Sequence, residues 1–228
     1  MAVEVIYVRG GDKEAPTLAA EAGMKYGTRA DYKAYSSVYM LDVDFHRFEP
    51  DQWPGYMAKV HEYQPFMALA PDYGELPKYT VTRRELYGYI RDLKCAGVVR
   101  ILVCPKFPGA IAHIPSWCVI ALSVPAPSYA GYLPQLTELR GRNVHLLGGS
   151  VHKQADLICK ITGAGGRVVS VDGSHHAMAA GHGRWFDGAY WHQLRRNVVP
   201  TRELEAASSR AIVKYLRRSE MYVQPQLF

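Results

Sequence analysis

The feature that most constrains the fold is the stretch from Val144 to Arg184, where two short apolar runs flank one helical pattern. The first run, Val144-His145-Leu146-Leu147, stops at Gly148-Gly149-Ser150. The second, Arg167-Val168-Val169-Ser170-Val171, stops at Asp172-Gly173-Ser174. Between them, Lys153 to Thr162 puts Ala155, Leu157, Ile158 and Ile161 on one helical stripe. A strand-helix-strand unit of this kind implies parallel strands and a right-handed crossover. Both strands then finish at the same sheet edge, where α/β folds gather their chemistry. Gly148, Gly149 and Asp172 are therefore expected as neighbours in a pocket. A carboxylate there suits a nucleophile or general base, and it equally suits the cap of a following helix.

The same rhythm runs through the chain. Val3 to Val8 alternates and is rich in β-branched residues, so it reads as a strand, and Ala15 to Ala22 follows as a short helix closed by Gly23. Met24 to Ala30 gives a weak strand signal, and Val38 to Leu41 leads into Asp42-Val43-Asp44-Phe45. The spacing predicts a helix over Pro50 to Tyr63, a strand over Phe66 to Ala70 and an amphipathic helix over Thr82 to Ala96. Strands are expected at Arg100 to Cys104 and Trp117 to Leu122, with a loop from Val124 to Pro134. Beyond Arg184 the pattern weakens until a basic helix over residues 203–218. About eight apolar strands, buried on both faces and separated by helices or crossovers, predict a compact single-domain (β/α)8 TIM-type barrel over residues 1–228. An open doubly wound sheet is the alternative.

The strand ends share a character. Asp42 and Asp44, Asp72, Lys106, Ser123, Gly148-Gly149 and Asp172 each follow an apolar run, and a barrel would bring them to one mouth. On a continuing strand Asp42 and Asp44 would share a face. Carboxylates converging on one pocket suit chemistry in which one acid attacks and another moves a proton. Each alone also fits a cap or a turn.

Other classes lose support. No apolar run reaches the roughly 20 residues that span a bilayer, and the N-terminus lacks a basic region followed by a long apolar core, so a cytoplasmic protein is expected. There is no GxGxxG after the first strand and no GxxxxGK[ST] motif, so no nucleotide cofactor is expected. The four cysteines, Cys95, Cys104, Cys118 and Cys159, have no C-x-x-C spacing and read as buried thiols. Adjacent His175 and His176 make a poor chelate, with His182 and His192 downstream, so no metal is expected. The net charge of +6 favours a polyanionic partner.

The segment His145-Leu146-Leu147-Gly148-Gly149, the helix after it, and Val171-Asp172-Gly173-Ser174 followed by Ala179 to Arg184 resemble the tRNA-guanine transglycosylase superfamily. That family carries a His/Tyr-Leu-x-Gly strand end, a helix, and a strand ending in a nucleophilic aspartate. Asp42 and Asp44 sit where it has its Thr-Asp-Ser-Gly-Gly-Phe motif, and Ala70-Pro71-Asp72 where it has a base-binding aspartate. Ile120 to Pro125 is similar to its base-binding segment. The family's glycine pair after the first aspartate, its zinc site and its RNA-binding domain have no counterpart here. The chain thus looks more like the short phage and bacterial relatives that place 7-deazaguanines into DNA, which would set it in the cytoplasm of a host cell.

The resemblance implies a base exchange in nucleic acid, DNA before tRNA, in which a free 7-deazaguanine replaces guanine. Asp172 would attack C1′, and Asp42 or Asp44 would protonate the leaving base and later deprotonate the incoming one. Asp72 would take the base's N1–H and exocyclic amine. Gly148, Gly149 and Ser123 would meet its carbonyl or 7-substituent, with Lys106, His145 and Ser174 completing the binding set. The alternatives are a hydrolase that uses the same carboxylates, and a non-catalytic nucleic-acid-binding barrel.

Overall fold

The computed structural model describes residues 2–9, 11–43, 49–75, 79–124, 132–173, 182–194 and 201–219. Asp44, Ser174, His175 and His176 lie outside the described residues. Eight strands build the core: Glu4–Val8 (β1), Lys25–Arg29 (β2), Met40–Asp42 (β3), Met67–Leu69 (β4), Arg100–Val103 (β5), Val119–Ser123 (β6), Asn143–Leu147 (β7) and Arg167–Gly173 (β8). Each pairs in parallel with its neighbours in sequence, and β8 returns to β1 with Ile6 opposite Asp172, which closes the barrel. The molecule is a TIM-type α/β barrel, as the apolar strands predict. A β-strand expected from Trp117 begins only at Val119, and Trp117 itself is exposed.

Among the described residues the helices are Ala15–Glu21 (α1), Trp53–Tyr63 (α2), Arg83–Cys95 (α3), Val151–Gly163 (α4) and Arg202–Ser219 (α5). Helix α3 starts at a reciprocal cap: Thr82 accepts from the Glu85 N–H while Glu85 accepts from the Thr82 N–H. Its buried stripe is Leu86, Ile90 and Leu93. Helix α4 is capped by Ser150, which accepts from the Lys153 N–H, and buries Val151, Gln154, Ala155, Ile158 and Ile161. Among the described residues, the crossovers from β5 to β6 and from β6 to β7 carry only short 3-10 turns, Ala110–His113 and Leu136–Leu139. That economy is how the barrel fits its length. No helix among the described residues is long and apolar enough to cross a membrane.

Two features went unseen in the sequence. Arg184–Phe186 (β9) and Trp191–Gln193 (β10) form an antiparallel hairpin outside the barrel, where the sequence pattern weakens. It docks on α5 through Phe186, which is buried and whose N–H donates to the Ser208 hydroxyl at 2.9 Å. The second feature is an irregularity between β7 and β8. Val144 pairs with Val168, but the next residue, His145, pairs with Ser170. Val169 is the extra residue of a bulge, and the bulge brings Ser170, and so Asp172 two residues on, to the side His145 faces.

At the opposite end, Glu4 opens β1 and Arg100 opens β5, four strands away around the ring. Their side chains meet as an ion pair across the barrel floor. Tyr39 donates its hydroxyl to the same Glu4 oxygen at 3.0 Å, and the Arg100 guanidinium lies over the Phe66 ring.

Candidate active site

Asp172 stands near the end of β8 with little solvent exposure. Its Oδ1 accepts a hydrogen bond from the Gly148 N–H at 2.5 Å. Gly148 and Gly149 both have left-handed backbones, φ +60° and +79°, which other residues adopt at a strain. A Cβ on Gly149 would fall 2.2 Å from the Val124 side chain. The glycine pair is therefore required to turn the chain after β7 so that an N–H faces Asp172. Gln154, buried on α4, fixes the same corner: its Nε2 donates to the carbonyls of Gly148 at 2.7 Å and of Asp172 at 2.6 Å. The helix of the crossover thus ties together the ends of the two strands it joins.

Asp42 is the last residue of β3. Burial, and next the negative charge of Asp172, push its carboxyl up to about 8; Asp72 adds to this, while the Val43 N–H and Arg29 oppose it. At neutral pH Asp42 keeps its proton. Asp42, Asp72 and Asp172 therefore share one electrostatic neighbourhood, as expected of strand ends meeting at a mouth.

Asp72, after β4, and Lys106, after β5, form a buried ion pair with Oδ2 and Nζ 2.8 Å apart. The Cys104 thiol lies beside it, 3.9 Å from the Ser123 hydroxyl, and burial pushes that thiol up to about 12, so it is no nucleophile. Ser123, the end of β6, is partly exposed.

His145 departs from its expected role. It lies wholly inside the barrel with no exposed surface, so it cannot touch a substrate. Its Nδ1 is 2.7 Å from the Ser170 hydroxyl, and its Nε2 is 3.7 Å from Asp172 Oδ2. Gly148 also departs, because its N–H is committed to Asp172. Sequence reasoning missed Gln154 and Ser170. The available signal was a polar residue on the buried stripe of α4 and another inside the apolar run of β8.

The remaining candidates sit elsewhere. Cys104 and Cys118 are buried, Cys159 is partly so, and Cys95 is exposed at the end of α3 and corrects the expectation that it is buried; all four are unpaired. His192 pairs with Asp187 at 2.6 Å within the outer hairpin.

Residues 17–217 match the profile described as "Family of unknown function (DUF6610)", so the chain belongs to that family. The match spans every strand end from Asp42 to Asp172. No curated protein matches the chain. Among solved structures, it is similar to a protein assigned to the dihydrodipicolinate synthase family from Coccidioides immitis. The two share 13% identity and a TM-score of 0.38 over 79% of this chain and 68% of that one.

Proposed function

We propose that this DUF6610 member is a base-exchange transglycosylase that replaces guanine in nucleic acid, DNA before tRNA, with a 7-deazaguanine through a covalent aspartyl intermediate. The observation that carries the reading is the pair Asp42 and Asp172: two carboxyl groups at strand ends of one mouth, Asp42 pushed up by burial and by the charge of Asp172. A carboxyl raised by its surroundings is suited to deliver a proton, and a second carboxylate beside it to attack. The resemblance of the β7 and β8 ends to the transglycosylase superfamily supplies the substrate class.

In the first half of the reaction the Asp172 carboxylate attacks C1′ of the target nucleotide. The C1′–N bond breaks, its electron pair goes to the departing guanine, and Asp42 delivers the proton. In the second half the incoming base attacks C1′ as its N–H proton passes to Asp42. The C1′–O bond breaks and its electron pair returns to Asp172. Asp72 and Lys106 present a carboxylate beside an ammonium, which complements a base edge with N–H donors next to a carbonyl. With the Gly148 N–H occupied, contact with the carbonyl or 7-substituent falls to Gly149 and Ser123. The target base must leave its stack to reach the barrel mouth. The excess of basic residues holds the phosphates, so binding weakens as salt rises.

Incubation with labelled guanine and DNA, repeated with tRNA, tests the reading. Exchange of label supports a transferase. Release of free base with water as acceptor reassigns the same carboxylates to a hydrolase. Neither outcome, with binding retained, makes the barrel a binding module.

A further inference from the structure

We infer that His145, held in one tautomer by Ser170, is a positioning residue that supports the Asp172 carboxylate from inside the barrel and receives its returning charge in the second half of the reaction. The inference rests on the transglycosylase reading of Asp172 and assigns a role to groups beneath the mouth.

Three observations converge. The imidazole is fully buried, its Nδ1 is engaged by the Ser170 hydroxyl, and its Nε2 has no hydrogen-bond partner. A buried polar nitrogen without a partner is costly and rare, and this one lies 3.7 Å from Asp172 Oδ2. The tautomer follows from electrostatics. If Nδ1 carried the proton, the bare lone pair of Nε2 would face a carboxylate oxygen. If the Ser170 hydroxyl donates to Nδ1, the proton sits on Nε2 and points a donor at Asp172. The second arrangement is attractive at every contact. The bulge at Val169 is what puts Ser170 in place to enforce it.

The two oxygens of Asp172 then have separate supports: Gly148 N–H on Oδ1 and His145 Nε2–H facing Oδ2. A distance of 3.7 Å is too long for a hydrogen bond and short enough to become one with a small ring movement. Charge leaves the carboxylate when C1′ is attacked and returns when the ester bond breaks. A preorganised donor therefore helps the second half most.

Long-range 1H–15N NMR of the ring nitrogens tests the tautomer without any reaction: a neutral Nε2–H ring is expected, and an Nδ1–H ring overturns the inference. The kinetic test uses the intact protein with DNA and a 7-deazaguanine, following the covalent adduct on a denaturing gel. His145→Leu should slow breakdown of the adduct about 100-fold, as loss of a charge-stabilising donor does, while its formation slows less, so adduct accumulates. Ser170→Ala should give a smaller accumulation, and His145→Gln, which keeps an N–H donor, should recover part of the rate. If His145→Leu does not fold, Ser170→Ala and the ring spectrum decide. Adduct turnover at the wild-type rate in Ser170→Ala overturns the inference and leaves the parent reading standing. No adduct in the wild-type protein defeats the parent reading, and with it the kinetic role of His145.

Discussion

The two ends of this barrel treat charge differently. At the floor, Glu4 meets Arg100, and Tyr39 adds a hydroxyl to the same carboxylate, so each charge has its complement. At the mouth, burial first and the charge of Asp172 second drive the Asp42 carboxyl up to about 8. Strand pairing gives both ends the same frame. Matched pairs occur at both ends, since Asp72 meets Lys106 at the mouth; what sets the mouth apart is a carboxyl, Asp42, raised by burial and by its carboxylate neighbours.

The strongest way to break the comparison is Asp172→Asn. The amide oxygen can still accept from the Gly148 N–H, but its NH2 then meets the His145 Nε2–H, so the fold should persist with a modest drop in melting temperature. Base exchange and the covalent adduct should fall by several orders of magnitude, since the nucleophile is lost as a unit. An Asp172→Asn protein with near-normal exchange would reduce the mouth to a second floor.

Asp42→Asn comes next, with exchange lowered about 10²- to 10⁴-fold by loss of proton transfer. It also has a signature in stability. The Asp42 carboxyl ionises near 3.8 when exposed and is pushed up to about 8 in the fold, so the folded state binds the proton more tightly. Between those values stability falls as pH rises. The variant escapes that fall. Its melting temperature relative to wild type should climb between pH 4 and pH 8, by several degrees, and flatten above. A difference independent of pH would show that the fold does not raise the Asp42 carboxyl. In activity, glycosyl transfer from the first half should decline as pH rises through about 8, where Asp42 loses its proton.

Gln154→Met tests how far the mouth depends on its supports. Two carbonyls lose their donor, which should destabilise by about 1–3 kcal/mol. The displaced corner should lower exchange about 10- to 100-fold. Arg100→Leu gives the smallest effect on chemistry: exchange should be unchanged, while unpairing partly buried Glu4 should cost about 1–3 kcal/mol, read as a drop of roughly 2–10 °C in melting temperature. A change in exchange rate there would mean the two ends are coupled.

Much of the frame was legible because apolar runs and helical stripes follow directly from burial. The strand ends Asp42, Asp72, Lys106, Ser123, Gly148 and Asp172 were legible for the same reason, since each follows a run that must be buried. His145 was misread as a substrate contact because a histidine inside an apolar run has no periodic mark of depth. The bulge at Val169 left no trace either, for Val-Val-Ser-Val looks the same with or without an extra residue. Gln154 was overlooked because a stripe is counted from its apolar members. The β9–β10 hairpin is too short and too polar for its period to show, and it exists because Phe186 finds a buried place against α5.

Gln154 also bears on how the site comes into being. The residues that hold Asp172 — Gly148, Gln154, Ser170 and His145 — all lie between Asn143 and Gly173, within a single crossover unit. Each of their contacts closes a loop no longer than that one unit, so none needs the rest of the ring to be in place. Asp42 comes from β3, outside that unit, and the closed ring is what sets it near Asp172. The surroundings of Asp172 are thus contained in one crossover unit, whereas its nearness to Asp42 belongs to the closed molecule.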